Sequence, residues 1–231
     1  MDRIFLADGD ALIVPTAILA EILDYVKKVF PECERISLYG TAIAIEKKSV
    51  EELKLLHEKG LDLVYLGVES GDDDALKFIK KGITAEKIVE LCHKIMSTGI
   101  DLSITLIAGL LGRYQDNKNH AINTAKIITD ISPKYASILN LRLYPGTPLY
   151  DMMQRGEYDY MEGVDVLREM KLILQSIDPK EVKREIIFRA NHASNYLNLK
   201  GNLPGDIKRM IKQIDKALAT EAIDINKYRV L

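Results

Sequence analysis

The chain has 231 residues, 32 of them Lys or Arg and 34 Asp or Glu, for a net charge of −2. That is enough chain for one large, well-buried domain, and the balanced charge gives no strong nucleic-acid signal. Two cysteines far apart exclude a disulfide framework and a metal-spacing motif. No apolar run reaches the roughly 18 residues of a membrane span, and the first residues carry no signal-peptide pattern, so a cytoplasmic protein with no membrane partner is expected.

Ile4-Phe-Leu-Ala7 reads as a short strand, followed by a turn at Asp8-Gly-Asp10. Apolar residues at Ile18, Leu19, Ile22, Leu23, Val26 and Val29 predict a helix over 17–30, ended by Pro31. Arg35-Ile-Ser-Leu-Tyr39 is a second strand, with Gly40-Thr41 as its terminal turn. Ser49 with Glu52 three residues on is a capping box, and Gly60 closes the helix it starts.

Leu63-Val-Tyr-Leu-Gly-Val68 has the composition of a strand buried on both faces, and it stops abruptly in Glu69-Ser-Gly71. Asp72, Asp73 and Asp74 follow; Asp72 or Asp73 reads as a helix N-cap in an acidic first turn. Glu69 stands tight against a buried strand and needs a partner, which marks it as a functional candidate.

A short helix over 75–81 stops at Gly82, and a longer one runs from Thr84 to about Thr98. Strict alternation predicts a strand over 101–107, with Asp101, Ser103, Thr105 and Ile107 on one face. A glycine turn at Ala108-Gly-Leu-Leu-Gly112, a helix over 120–131 and a strand over 135–144 come next. Helices over 149–155 and 164–176, a strand over 185–189, a polar turn at Asn191-His-Ala-Ser-Asn-Tyr196 and a helix over 206–218 complete the order. Strand and helix alternate five times, so the fold class is α/β with a parallel sheet. No linker divides the chain: residues 1–219 are expected to form one domain and 220–231 a loose tail.

Each of the first five strand ends carries small or polar residues. In α/β folds ligands bind at that edge, where glycines let backbone approach them closely. Asp8 and Asp10 around one glycine are poor evidence for a metal. His57 and His93 read as ordinary helix residues, and His192 fits a structural turn as well as a catalytic one. No nucleophile elbow or Walker loop is present, and no catalytic residue is assigned.

Phe5-Leu-Ala-Asp-Gly-Asp-Ala-Leu12, Val64-Tyr-Leu-Gly-Val-Glu-Ser-Gly71, Tyr144-Pro-Gly-Thr-Pro-Leu149 and Phe188-Arg-Ala-Asn-His-Ala-Ser-Asn-Tyr196 together resemble the core of radical S-adenosylmethionine (SAM) enzymes. The likeness is to bacterial Fe-S oxidoreductases of the coproporphyrinogen-oxidase-like group. It implies a partial TIM-type (β/α) barrel. It implies SAM bound at a 4Fe-4S cluster and cleaved to a 5′-deoxyadenosyl radical, which takes hydrogen from a small-molecule or otherwise unknown substrate. By that resemblance Asp8, Gly9 and Asp10 are similar to the segment that meets the SAM amino group. Glu69 resembles the residue that meets the ribose or methionine part, and Ser70 beside it is expected among the cofactor-binding residues. Ser103 and Thr105 match the polar positions near the carboxylate, and Ile107 and Gly109 the segment against adenine. The family's Cys-x3-Cys-x2-Cys loop is absent. The chain is therefore expected to lack the first β/α unit and to be inactive alone, with the edge strand at 4–7 free to form a homodimer. The alternatives are a non-radical α/β-barrel enzyme and a cluster-free binding protein, each with a nucleotide- or phosphate-type ligand at the same edge.

Overall fold

The computed structural model describes residues 2–113 and 117–220; the expected loose tail lies, beyond Thr220, outside the described residues. Seven strands form one sheet in sequence order. No helix among the described residues is long and apolar enough to cross a membrane. The chain packs as two compact units. One holds the residues up to Val68 together with Glu86–Thr105; the other holds Glu69–Ala85 and the described residues from Leu106 on.

In the first unit, β1 (Arg3–Leu6) pairs parallel to β2 (Arg35–Gly40), and β2 parallel to β3 (Leu61–Glu69). β1 is an edge strand. Between Ile36 and Ser37 the β2–β3 register shifts, so Leu38 aligns with Val64 and Tyr39 with Tyr65. β3 is not buried on both faces as its composition predicts: Leu61, Leu63, Val64, Leu66 and Val68 are buried, while Tyr65, Gly67 and Glu69 are half-buried. α1 (Thr16–Val29) turns Leu19, Ala20, Leu23 and Val26 into the core. α3 (Val50–Glu58) carries the full capping box, with Ser49 and Glu52 each accepting from the other's backbone N–H.

The sequence reading passed over a helix at α2 (Ala42–Lys47), where Ala-Ile-Ala-Ile alternates like a strand. End effects make it helical. The Thr41 hydroxyl accepts from the Ala44 N–H at 3.1 Å. At the other end Lys94, on α5 (Ala85–Met96), donates to the carbonyls of Ile45, Glu46 and Lys48. A cation on those orphan carbonyls satisfies them and favours the helix dipole. Lys48 is itself buried, its ammonium donating to the Val14 carbonyl and the Thr16 hydroxyl. Burial lowers its pKa, against which Glu52 and Asp10 raise it.

In the second unit, Asp72 caps α4 (Asp73–Phe78) by accepting from the Ala75 N–H at 3.0 Å. β4 (Asp101–Ala108) contributes its last residues to this unit. β5 (Tyr135–Asn140) ends earlier than expected, because the Leu141 N–H turns to the Ala108 carbonyl at 2.9 Å. Its parallel neighbour is β6 (Ile186–Ala190). α6 (Asn117–Ile131), α7 (Pro148–Gln154) and α8 (Val164–Ser176) complete the layer. α8 buries Val166, Leu167, Met170, Ile173 and Leu174, each worth about 1.5–3 kcal/mol. A seventh strand, β7 (Leu199–Leu203), pairs antiparallel to β6, and α9 (Ile207–Ala219) follows. The sequence reading missed β7 because Lys200, Gly201 and Asn202 break the apolar pattern; only Leu199, Gly201 and Leu203 are buried.

Candidate functional site

The loop after β1 brings Asp10 to the end of β2. The Asp10 carboxylate accepts from the Thr41 N–H at 3.2 Å and from the Thr41 hydroxyl at 2.6 Å. Asp8 accepts from the Gly9 N–H at 2.7 Å, and a Cβ added at Gly9 would meet nothing within 4 Å. This corner therefore presents two carboxylates around open space, with Asp10 held in place by two hydrogen bonds. An anionic group of that kind suits an ammonium ion. Beside it, Phe5 packs edge-on against Tyr39 at 4.7 Å and Tyr65 at 5.4 Å between ring centroids. Phe5 and Tyr39 remain 38% and 48% exposed, leaving an aromatic platform on one face of the sheet. Ser103 is buried and Thr105 half-buried on β4, in the same unit.

At the end of β3, Glu69 has φ +69°, a left-handed backbone that residues other than glycine seldom adopt. Its carboxylate pairs with Lys81 at 3.1 Å. The Lys81 ammonium is delivered by a turn in which Lys80 also has positive φ, +57°. Ser70 is fully buried, and its hydroxyl accepts from the Asp72 N–H at 2.9 Å. It shapes the turn that presents Glu69, and no exposed surface is left on it for a ligand. Ile107 packs with Phe78, Ile79 and Leu141 around Ala75, Leu110 and Leu111.

Gly109, at φ +82°, is pinned from two sides. Its N–H donates to the Glu169 carboxylate at 2.6 Å, and its carbonyl accepts from the Tyr158 hydroxyl at 2.8 Å. Glu169 also meets His120 Nδ1 at 2.6 Å, with both side chains almost wholly buried. His120 Nε2 is buried with no hydrogen-bond partner among the described residues. Sequence reasoning assigned neither residue a role. Their signal was a polar residue on an otherwise apolar helix face: His120 among Ala121, Thr124 and Ala125, and Glu169 among Val166, Leu167 and Met170. At the polar turn, His192 Nδ1 accepts from the Ser194 N–H at 3.1 Å, as a structural residue does.

The residues present do not fit an iron–sulfur cluster. Cys33 is half-buried with its thiol 3.5 Å from the Arg35 carbonyl, and Cys92 is buried on α5. Burial pushes the Cys92 thiol up to about 12, unlike a thiol exposed for ligation. Among the described residues no group of three or more His, Cys, Asp or Glu side chains is placed to hold a metal ion.

The model of the radical SAM superfamily matches residues 2–124. The heme chaperone HemW of Bacillus subtilis is 25% identical over 157 residues, covering 68% of this chain and 41% of that protein. The chain thus spans about two fifths of that relative. Among solved structures, Elp3 of Methanocaldococcus infernus with an N-terminal deletion matches at TM-score 0.65 and 17% identity, over 96% of this chain and 55% of that one. The coproporphyrinogen III oxidase HemN of Escherichia coli, described as a radical SAM enzyme, matches at 0.58 and 19%, over 77% and 41%. At such identities the structural likeness is one of fold.

Proposed function

Because the chain belongs to the radical SAM superfamily and has its α/β partial-barrel fold, we propose that it is the SAM-binding part of an iron–sulfur oxidoreductase whose cluster ligands lie in polypeptide beyond these 231 residues. In that superfamily, reductive cleavage of SAM supplies a 5′-deoxyadenosyl radical for hydrogen abstraction. The two cysteines here do not fit the cluster, so this chain alone is expected to bind SAM without cleaving it. We assign Asp8, Gly9 and Asp10 to the SAM ammonium and Glu69 to the ribose or methionine part. Ser103 and Thr105 are assigned to the carboxylate, and Ile107 and Gly109 to adenine. Ser70 supports Glu69 from within its turn. The likeness to coproporphyrinogen-oxidase-like proteins, the substrate and a homodimer through β1 belong to the same proposal.

The observation that carries this reading is the backbone of Glu69. A non-glycine residue at positive φ costs about 1–3 kcal/mol and persists where function needs it. Glu69→Gly relieves the strain and removes the half-buried ion pair with Lys81. The variant is expected to be as stable as the parent or about 1 kcal/mol more so, while its SAM affinity by calorimetry falls about tenfold. A variant that binds SAM as the parent does would sink the assignment of Glu69. Titration with ATP in place of SAM separates this reading from a nucleotide-binding one: the proposal requires SAM to bind and ATP to fail.

A further inference from the structure

The second unit contains a cavity of about 490 Å³ between α7 and the segment that leads into α8. Its wall includes Tyr150, Met153, Tyr158, Tyr160, Asp159 and Glu162. The hydroxyls of two of the tyrosines are spent on backbone: Tyr158 donates to the Gly109 carbonyl and Tyr160 to the Leu141 carbonyl at 2.7 Å. Both phenols are pushed up by burial and stay protonated. Tyr158 is buried with its ring stacked on Phe78, so the ring surface left for a ligand is that of Tyr150 and Tyr160. The carboxylates are unequally engaged. Asp159 shares the Arg113 guanidinium with Asp165, at 3.0 and 2.8 Å. The Glu162 carboxylate is half-buried and makes no ion pair among the described residues. The other nearby cation, Arg142, is turned to the Tyr196 ring and the Ser194 carbonyl.

We propose that this cavity binds an organic ammonium ion, with the charge against the Glu162 carboxylate and the alkyl substituents against the tyrosine rings and Met153. Aromatic faces attract a cation through the ring quadrupole, and a half-buried carboxylate lacking a counter-ion completes the attraction. An anionic ligand is repelled by Glu162, and a neutral one lacks the charge attraction. Under the radical SAM reading this is where a cationic part of the substrate is held, and that role rests on the reading; the binding itself does not.

The test uses choline as the cation and 3,3-dimethyl-1-butanol as its neutral isostere, each titrated into the chain without SAM and followed by NMR. Choline is expected to bind at least about tenfold tighter than the isostere. Glu162→Gln should weaken choline about tenfold, and Tyr150→Leu should weaken it by a similar factor, with isostere binding unaffected by the first. Glu157→Gln, on an exposed carboxylate already paired with Arg155, should leave it unchanged. Glu162 makes no ion pair among the described residues, so circular dichroism should report the Gln variant folded. Equal binding of the two probes, no choline binding up to about 50 mM, or indifference to Glu162→Gln each overturns the proposal. SAM titration of the same sample fails or succeeds independently, which separates this site from the SAM reading.

Discussion

Replacing Glu169 by leucine is expected to cost about 3–5 kcal/mol of folding stability, read as a fall in the urea midpoint at unchanged slope. The carboxylate accepts from two buried donors, the Gly109 N–H and His120 Nδ1, both at 2.6 Å. Leucine leaves each unsatisfied in a buried site, at about 1–3 kcal/mol per group. Glu169→Gln should cost less, because its carbonyl still accepts one of the two bonds. The informative variant is the double His120→Leu with Glu169→Leu. It removes the buried imidazole together with its partner, so it should be more stable than Glu169→Leu alone. Hydrogen exchange gives a second reading: the Gly109 amide should lose protection in Glu169→Leu before the strands do. A Gly109 amide still protected in that variant would mean the turn is held without Glu169.

That pair also shows where sequence reasoning stops. The parallel strands and the capping box at Ser49 were legible because their causes are local: composition, period and a three-residue spacing. The boundaries of α8 were legible for the same reason, as its apolar face repeats from Val166 to Leu174. His120 and Glu169 lie 49 residues apart, and nothing in either neighbourhood names the other. α2 was hidden because its C-terminal carbonyls are satisfied from outside, by Lys94 on another helix. β7 was hidden because an edge strand with glycine at its middle loses the alternation that marks a strand. At the candidate site, Asp10 and Glu69 stood out as carboxylates at strand ends. Their partners Thr41 and Lys81 could be placed only by the fold.

The glycines at the strand ends separate sharply, and Gly71→Ala is expected to do far more harm than Gly9→Ala. A Cβ at Gly71 would lie 2.0 Å from the Asn123 carbonyl oxygen and 2.6 Å from its carbon. Those atoms belong to the backbone of α6, which cannot rotate away as a side chain can. Ile127 stands 2.9 Å off on the same side. The helix must therefore shift, and in shifting it strains two contacts that stitch it to this turn. Asn123 donates to Asp72 at 2.7 Å, and the Gly71 N–H donates to the Thr124 hydroxyl at 3.4 Å. Overpacking of this kind costs about 3 kcal/mol, or roughly 6–12 °C in Tm for a chain of this length. Gly9→Ala is the matched comparison. It too follows a parallel strand, yet an added Cβ there meets nothing, so its Tm should stay close to the parent's. One glycine is required by the approach of a helix and the other borders open space. Sequence alone offers both as ligand-approach positions; only Gly9 retains room for a ligand.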